Sequence, residues 1–176
     1  MKTGRVHIYY GKGKGKTTSA LGLVLRSLGW KKKIAVFFFL KPSPTGEKRF
    51  LAQISDIKIY SYNQIHPIFW RKNQERKEWR KLLSEVKKAL NDLDIVLTQK
   101  YDLIVLDEIL NLLDLGLITR DYLIKIIKSR LPRTEIVLTG RKCPRFLKKY
   151  ADYITEMKFV KNPYYSGIKA RRGIEY

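Results

Sequence analysis

Between Gly11 and Thr18 the chain reads Gly-Lys-Gly-Lys-Gly-Lys-Thr-Thr. Residues of these types in this order suit the gripping of a polyphosphate. Gly11, Gly13 and Gly15 let the backbone come close to a ligand and turn its N–H groups inward. Lys16 can reach terminal phosphates as a point charge, and the Thr17 hydroxyl is placed to ligate Mg²⁺. The whole run, with Lys12, Lys14 and Thr18, is the candidate nucleotide-binding segment. Its match to G-x-x-x-x-G-K-[ST] is incomplete, because Tyr10 stands where the first glycine belongs. The bland alternative is a Gly/Lys-rich surface turn with no ligand.

A second acidic feature follows an apolar run. Leu103 to Leu106 ends in Asp107-Glu108, where carboxylates could hold Mg²⁺ directly or through water. Alternatively, one of them caps the following helix and the other is solvated. Arg141, after Thr139-Gly140, could contact phosphate or another part of the ligand, or be a plain surface arginine. Phe69 and Trp70, near Pro67, could cover a flat ligand or form a satellite core cluster. His7 is read as structural, and His66 has no identifiable partner. Tyr164, Tyr165 and Arg171-Arg172 could bind an anion, or form a solvated tail.

These residues need a scaffold, and the apolar patterning supplies one. Val6–Tyr10 is β-branched and aromatic and stops at Gly11, which reads as a strand. Thr17–Leu28 reads as a helix with Ala20, Leu21, Val24 and Leu28 on its apolar face and Gly29 as its C-terminal stop. Ile34–Leu40 is continuously apolar, as expected of a strand covered on both faces. Lys41–Arg49, with Pro42, Pro44 and Gly46, reads as a loop. Ile57–Tyr62 is a further strand candidate. A long helix is expected from about Gln74 to Leu97, with Trp79, Leu82, Leu83, Val86, Leu90, Leu93 and Leu97 along one stripe. Thr119 can cap a helix running to about Ser129. Glu135–Leu138 reads as a strand, and Pro144 suits the first turn of a short helix to Tyr150. Tyr153–Val160 is expected to be the last strand, and Asn162–Tyr176 a loop. Alternating strands and helices imply right-handed crossovers and a mostly parallel sheet with helices on both faces. The fold class expected is α/β, of the P-loop NTPase-like (RecA-like) type. In such sheets ligands sit beyond the carboxyl ends of the strands. The Gly11 loop, Asp107-Glu108 and Gly140-Arg141 all fall there.

The chain has 176 residues, enough for one domain over residues 1–176. Its hydrophobic fraction of 44% allows a buried core. Against 16 Asp and Glu stand 37 Lys and Arg, a net charge of +21. Such a field attracts polyanions. The basic residues run through the whole chain without forming a tail, which favours a general lysine preference or thermal adaptation over a nucleic-acid partner. Cys143 is the only cysteine, so there is no internal disulfide and a thiolate metal site is disfavoured. The N-terminus reads as neither signal nor transit peptide. The longest apolar run, Ile34–Leu40, is far short of the roughly 20 residues a bilayer requires. Cytoplasm is the expected location, with no membrane partner.

The segments YGKGKGKTTSALG, LDEI, VLTGR, ADYITEM and KNPYYSGIKARRGIEY occur in the order found in the P-loop ATP:corrinoid (cob(I)alamin) adenosyltransferases, a family this chain resembles from its first strand to its last residue. That family also lacks the first P-loop glycine. The resemblance implies transfer of the 5′-deoxyadenosyl group of ATP to the cobalt of a corrinoid, with release of triphosphate. It also implies a homodimer and a flavodoxin-type donor for the electron that makes Co(I). Co(I) is itself a strong nucleophile, so no Ser, Cys or His nucleophile is required, and none is evident. Alignment of C5′ with cobalt and stabilisation of the departing triphosphate would remain as the protein's tasks. Carry-over from the family assigns catalytic roles to Lys16, Thr17 and Glu108. It places Thr17 and Glu108 near Mg²⁺ (or Mn²⁺), with Asp107 the further metal candidate. The aromatic segment would pack on the corrin and exclude the lower cobalt ligand. Here it reads Ile68-Phe69-Trp70 where the family has Phe-x-Trp: Trp70 matches and the phenylalanine has moved by one position. An N-terminal segment that covers the site in many members is expected to be missing or replaced.

Two other functions remain open at this level. A nucleic-acid-stimulated ATPase is motivated by the charge, but no second ATPase motif set or stacking motif accompanies it. A nucleotide- or corrinoid-binding regulator without turnover is the other.

Overall fold

A computed structural model of the protein describes residues 3–41, 45–62, 67 and 75–175, with the backbone alone at 75 and 76. Six strands form one sheet: β1 Val6–Tyr10, β2 Ile34–Phe38, β3 Ile57–Ser61, β4 Leu103–Asp107, β5 Glu135–Gly140 and β6 Tyr153–Glu156. Their spatial order is β3-β2-β4-β5-β1-β6, and every pairing is parallel. The helices are α1 Lys16–Leu28, α2 Gly46–Leu51, α3 Glu75–Leu97, α4 Ile109–Asp114 and α5 Arg120–Ser129.

Alternation along β2 shows why the runs are apolar without a break. Ile34, Val36 and Phe38 pack with Ala20 and Val24 of α1 and with Leu51 of α2. Ala35 and Phe37, with Phe39 beyond the strand, face Leu82, Leu93 and Leu97 of α3 and Ile126 of α5. A strand roofed on both faces has no position left for a polar side chain. Burying a side chain such as Val24 or Phe37 contributes about 1.5–3 kcal/mol each, which ties α1, and thus the loop before it, to the sheet. Among the described residues no helix is long and apolar enough to cross a membrane.

Several local expectations are corrected. The stretch read as loop to Arg49 contains α2: Leu51, outside that window, is buried and recruits the segment onto β2 and β3. The last strand ends at Glu156 rather than Val160. It is an edge strand whose residues are all exposed, so burial cannot prolong it. Gly29 does end α1, but in right-handed geometry; the left-handed turn residue is Lys31, at φ 53°. The segment from Arg145 to Lys149 is a 3-10 turn. Thr119 caps α5 as expected, its side chain accepting from the Tyr122 N–H at 3.1 Å. The predicted start of α3 at Gln74 lies outside the described residues.

Candidate active site

The carboxyl ends of β1, β2, β4 and β5 open on one side of the sheet, and the cleft there has a volume of about 660 Å³. Its walls are the Gly13–Thr18 turn, α1 through Leu21 and Leu25, Lys41 beyond β2, Glu108 beyond β4, and the C-terminal residues Gly173–Glu175.

The glycine loop is held from below by Met157. The Gly13 N–H donates to the Met157 carbonyl at 2.8 Å, and the Gly11 N–H to the Gly140 carbonyl at 3.1 Å. A Cβ on Gly11 would come within 2.3 Å of the Met157 oxygen, and one on Gly13 within 2.7 Å of the same carbonyl. These two glycines are therefore required by close backbone packing, and their N–H groups are already engaged. That revises the expectation that all three glycines turn donors toward a ligand. Gly15 is the left-handed N-cap of α1, at φ 114°. The first-turn N–H groups of α1, at Lys16, Thr17 and Thr18, have no intrahelical acceptor and stand at the positive end of the helix dipole.

Lys16 lies half-buried, and its Nζ donates to the Gly13 carbonyl at 2.6 Å. Burial lowers its pKa, and the neighbouring Arg141 charge adds to the effect. Thr17 Oγ1 donates to Asp107 Oδ1 at 2.9 Å. Asp107 is 1% exposed, and its Oδ1 also accepts from Thr139 Oγ1 at 2.7 Å. Thr139 Oγ1 in turn accepts from the Glu108 N–H at 2.8 Å. Thus α1, through Thr17, and β5, through Thr139, fix the carboxylate at the end of β4 from two sides.

Glu108 sits at φ 68°, in the left-handed region, which few non-glycine residues adopt without a functional or structural reason. It is the N-cap residue of α4, but its side chain makes no capping hydrogen bond. The capping alternative for this carboxylate is therefore not what the structure shows. Burial first, and the charge of Asp107 second, push its pKa up to about 7; Lys41, Arg141 and Lys16 oppose the shift. The exposed Arg141 is oriented by its backbone N–H, which donates to Asn111 Oδ1 at 2.8 Å.

The remaining expectations divide. Lys12 is exposed on the loop. Lys14 pairs with Glu175 Oε1 at 3.2 Å, at the rim of the cleft. Thr18 lines the cleft. His7 Nε2 lies 2.6 Å from Glu135 Oε1, and its ring stacks on Tyr153 at 4.6 Å, a structural role as read. Phe69 and Trp70, with His66 and Ile68, lie outside the described residues. Sequence reasoning missed Lys41: its Nζ donates to Thr17 Oγ1 at 2.7 Å and lies 3.0 Å from Asp107 Oδ2. The available signal was its position three residues beyond β2, at the same sheet edge as the other motifs.

Among the described residues no three His, Cys, Asp or Glu side chains form a cage for a metal. Thr17 and Asp107 instead offer hard oxygens, with Glu108 beside them. That is the sparse set suited to Mg²⁺, which is commonly held by one or two carboxylates together with substrate phosphates. A cation already occupies this oxygen pair in the form of the Lys41 ammonium, so the donor chemistry fits a positive ion.

The N-terminus of α1, Lys16, and Thr17 bonded to the buried Asp107 meet at the carboxyl edge of an all-parallel sheet with helices packed on it, an α/β protein. The family model described as ATP:corrinoid adenosyltransferase BtuR/CobO/CobP matches residues 2–176, and the chain belongs to that family. A corrinoid adenosyltransferase of Pseudomonas aeruginosa is 33% identical over 174 residues, covering 96% of this chain and 82% of the relative. One from Escherichia coli K12 is 28% identical over 178 residues, covering 98% and 86%. Domain III of the Thermotoga maritima replication initiation protein DnaA aligns over 89% of this chain and 55% of that one. Its identity is 12% and its TM-score 0.38, a likeness too distant to bear on function.

Proposed function

We propose that this chain transfers the 5′-deoxyadenosyl group of ATP to the Co(I) of a corrinoid at the cleft beyond β1, β2, β4 and β5. The cobalt electron pair forms the Co–C5′ bond as the C5′–O bond breaks, and triphosphate departs with that bond's electrons. The nucleophile belongs to the substrate, so the protein's contribution is alignment and stabilisation of the leaving group. This reading treats residues 1–176 as a single adenosyltransferase domain.

Each residue then has a task. The first-turn N–H groups of α1, with Lys16, bind the triphosphate, and Gly11, Gly13 and Gly15 give the loop its shape. Lys12, Lys14 and Thr18 line its approach. Arg141 contacts the nucleotide from the β5 side. Thr17, Asp107 and Glu108 hold Mg²⁺, or Mn²⁺ in its place. The metal, when bound, supplies charge neutralisation on the triphosphate oxygens. Phe69 and Trp70 pack on the corrin. A homodimer working in the cytoplasm with a flavodoxin-type electron donor completes the reading.

The observation that carries it is the convergence of Lys16, Thr17 and Glu108 on one cleft, with the buried Asp107 hydrogen-bonded to Thr17, in a chain of this family. The test is an anaerobic incubation of protein, ATP, Mg²⁺ and chemically reduced cobalamin. A light-sensitive Co–C product is expected. Normal ATP binding with no such product would reject the proposal.

A further inference from the structure

Lys41 stands where a metal ion would be expected. Its ammonium is 2.7 Å from Thr17 Oγ1 and 3.0 Å from Asp107 Oδ2. Those two side chains carry the oxygens that the proposed function assigns to Mg²⁺, and the inference rests on that assignment. Two cations cannot share this position. The Lys41 ammonium lies against Thr17 Oγ1 and Asp107 Oδ2 together, so a metal ion bound to the same two oxygens would meet a like charge at contact distance and displaces the ammonium. Asp107 is buried, and a buried carboxylate left without a counter-charge is costly. Lys41 meets that need while no metal is bound.

The backbone of Lys41 is not free to follow its side chain. Its carbonyl accepts from Lys48 Nζ, which also donates to Ser61 Oγ at 2.9 Å. Lys48 is 8% exposed, and its ammonium lies 4.8 Å from the Phe38 ring centre. Burial lowers its pKa. A buried lysine committed to a neighbour's carbonyl fixes the pivot from which the Lys41 side chain swings. That side chain is 24% exposed and lines the same cleft as Lys16.

We infer that Lys41 is a resident cation that holds the Thr17–Asp107 pair in the nucleotide-free protein and exchanges places with the divalent metal when metal-ATP enters. On exchange its ammonium moves onto the triphosphate. Metal and nucleotide are thereby coupled: a divalent ion alone must expel Lys41 with no new anion to receive it, whereas metal-ATP brings that anion. Lys41 is thus a positioning residue for the metal and a further cation for the leaving group.

The experiment is Mn²⁺ binding, read by the loss of free-ion EPR signal, for native protein and Lys41→Met without and with ATP. In the absence of ATP, Lys41→Met should bind Mn²⁺ about tenfold tighter or more, since a competing unit charge at contact distance is removed. The gain should vanish in Lys41→Met/Asp107→Asn. Equal Mn²⁺ affinity in native protein and a folded Lys41→Met overturns the inference, as does a gain that survives Asp107→Asn. Thermal melts verify folding, and Lys41→Arg, which keeps the charge, serves as a second variant that should stay near native. Failure of the metal assignment itself reads differently: Thr17→Ala would then leave Mn²⁺ binding in the presence of ATP unchanged.

Discussion

Glu108→Gln offers a quantitative test of the site's electrostatics. In the folded protein the carboxyl is pushed up from its ordinary 4.5 to about 7, by burial first and by Asp107 second. Below about pH 4.5 folded and unfolded chains both carry the proton, and the group costs nothing. As the pH rises toward 7 the unfolded chain releases its proton first, so stability is lost through that window. Above it the full difference applies, about 3 kcal/mol for this interval. Glutamine stays neutral and keeps nearly the same shape in the same left-handed position, so the variant escapes the loss. Urea unfolding in a chelator-containing buffer, followed from about pH 5 to about pH 8, measures it. The stability advantage of Glu108→Gln should grow by about 2 kcal/mol or more across that range. A difference between the two proteins that is flat with pH would refute the claim that burial and Asp107 hold this carboxyl protonated into the neutral range.

Three further substitutions probe the loop and the helix it opens. Gly13→Ala places a Cβ 2.7 Å from the Met157 carbonyl, where only backbone can yield, and should cost about 1–3 kcal/mol along with ATP affinity. Gly22→Ala, with nothing within 4 Å of its Cβ, should stabilise α1 by about 0.5–1 kcal/mol; melting points moving the same way in both would sink the packing account. Lys16→Ala should keep its melting point yet lose about two to three orders of magnitude in kcat, and native turnover in that variant would remove the lysine from the mechanism.

The parts legible in the sequence share a physical basis. A strand buried on both faces, such as Ile34–Phe38 or Leu103–Leu106, has no choice of residue type, so composition alone reveals it. The chemical motifs were legible because each sits where such a strand stops. Lys41 was hidden because its partners, Thr17 and Asp107, lie 24 and 66 positions away in the chain, and only the β2-β4 pairing, Phe38 opposite Asp107, together with the packing of α1 on the sheet, brings the three together. The true constraint on Gly11 and Gly13 was hidden likewise, since Met157 meets them from the far end of the sequence. Helix α2 was obscured by Pro42, Pro44 and Gly46, which signal a loop, while Leu51, whose burial recruits the helix, lies outside that stretch. The stop of β6 at Glu156 reflects an exposed sheet edge, which apolar content does not encode.

The central claim is that the cleft cleaves ATP at C5′ and lets the three phosphates leave as one unit. Phosphorus-31 NMR of an anaerobic reaction with reduced corrinoid reads this directly. Intact triphosphate should accumulate in proportion to the adenosylated corrinoid, with no ADP formed. ADP and orthophosphate as the products, with the corrinoid unalkylated, would contradict it.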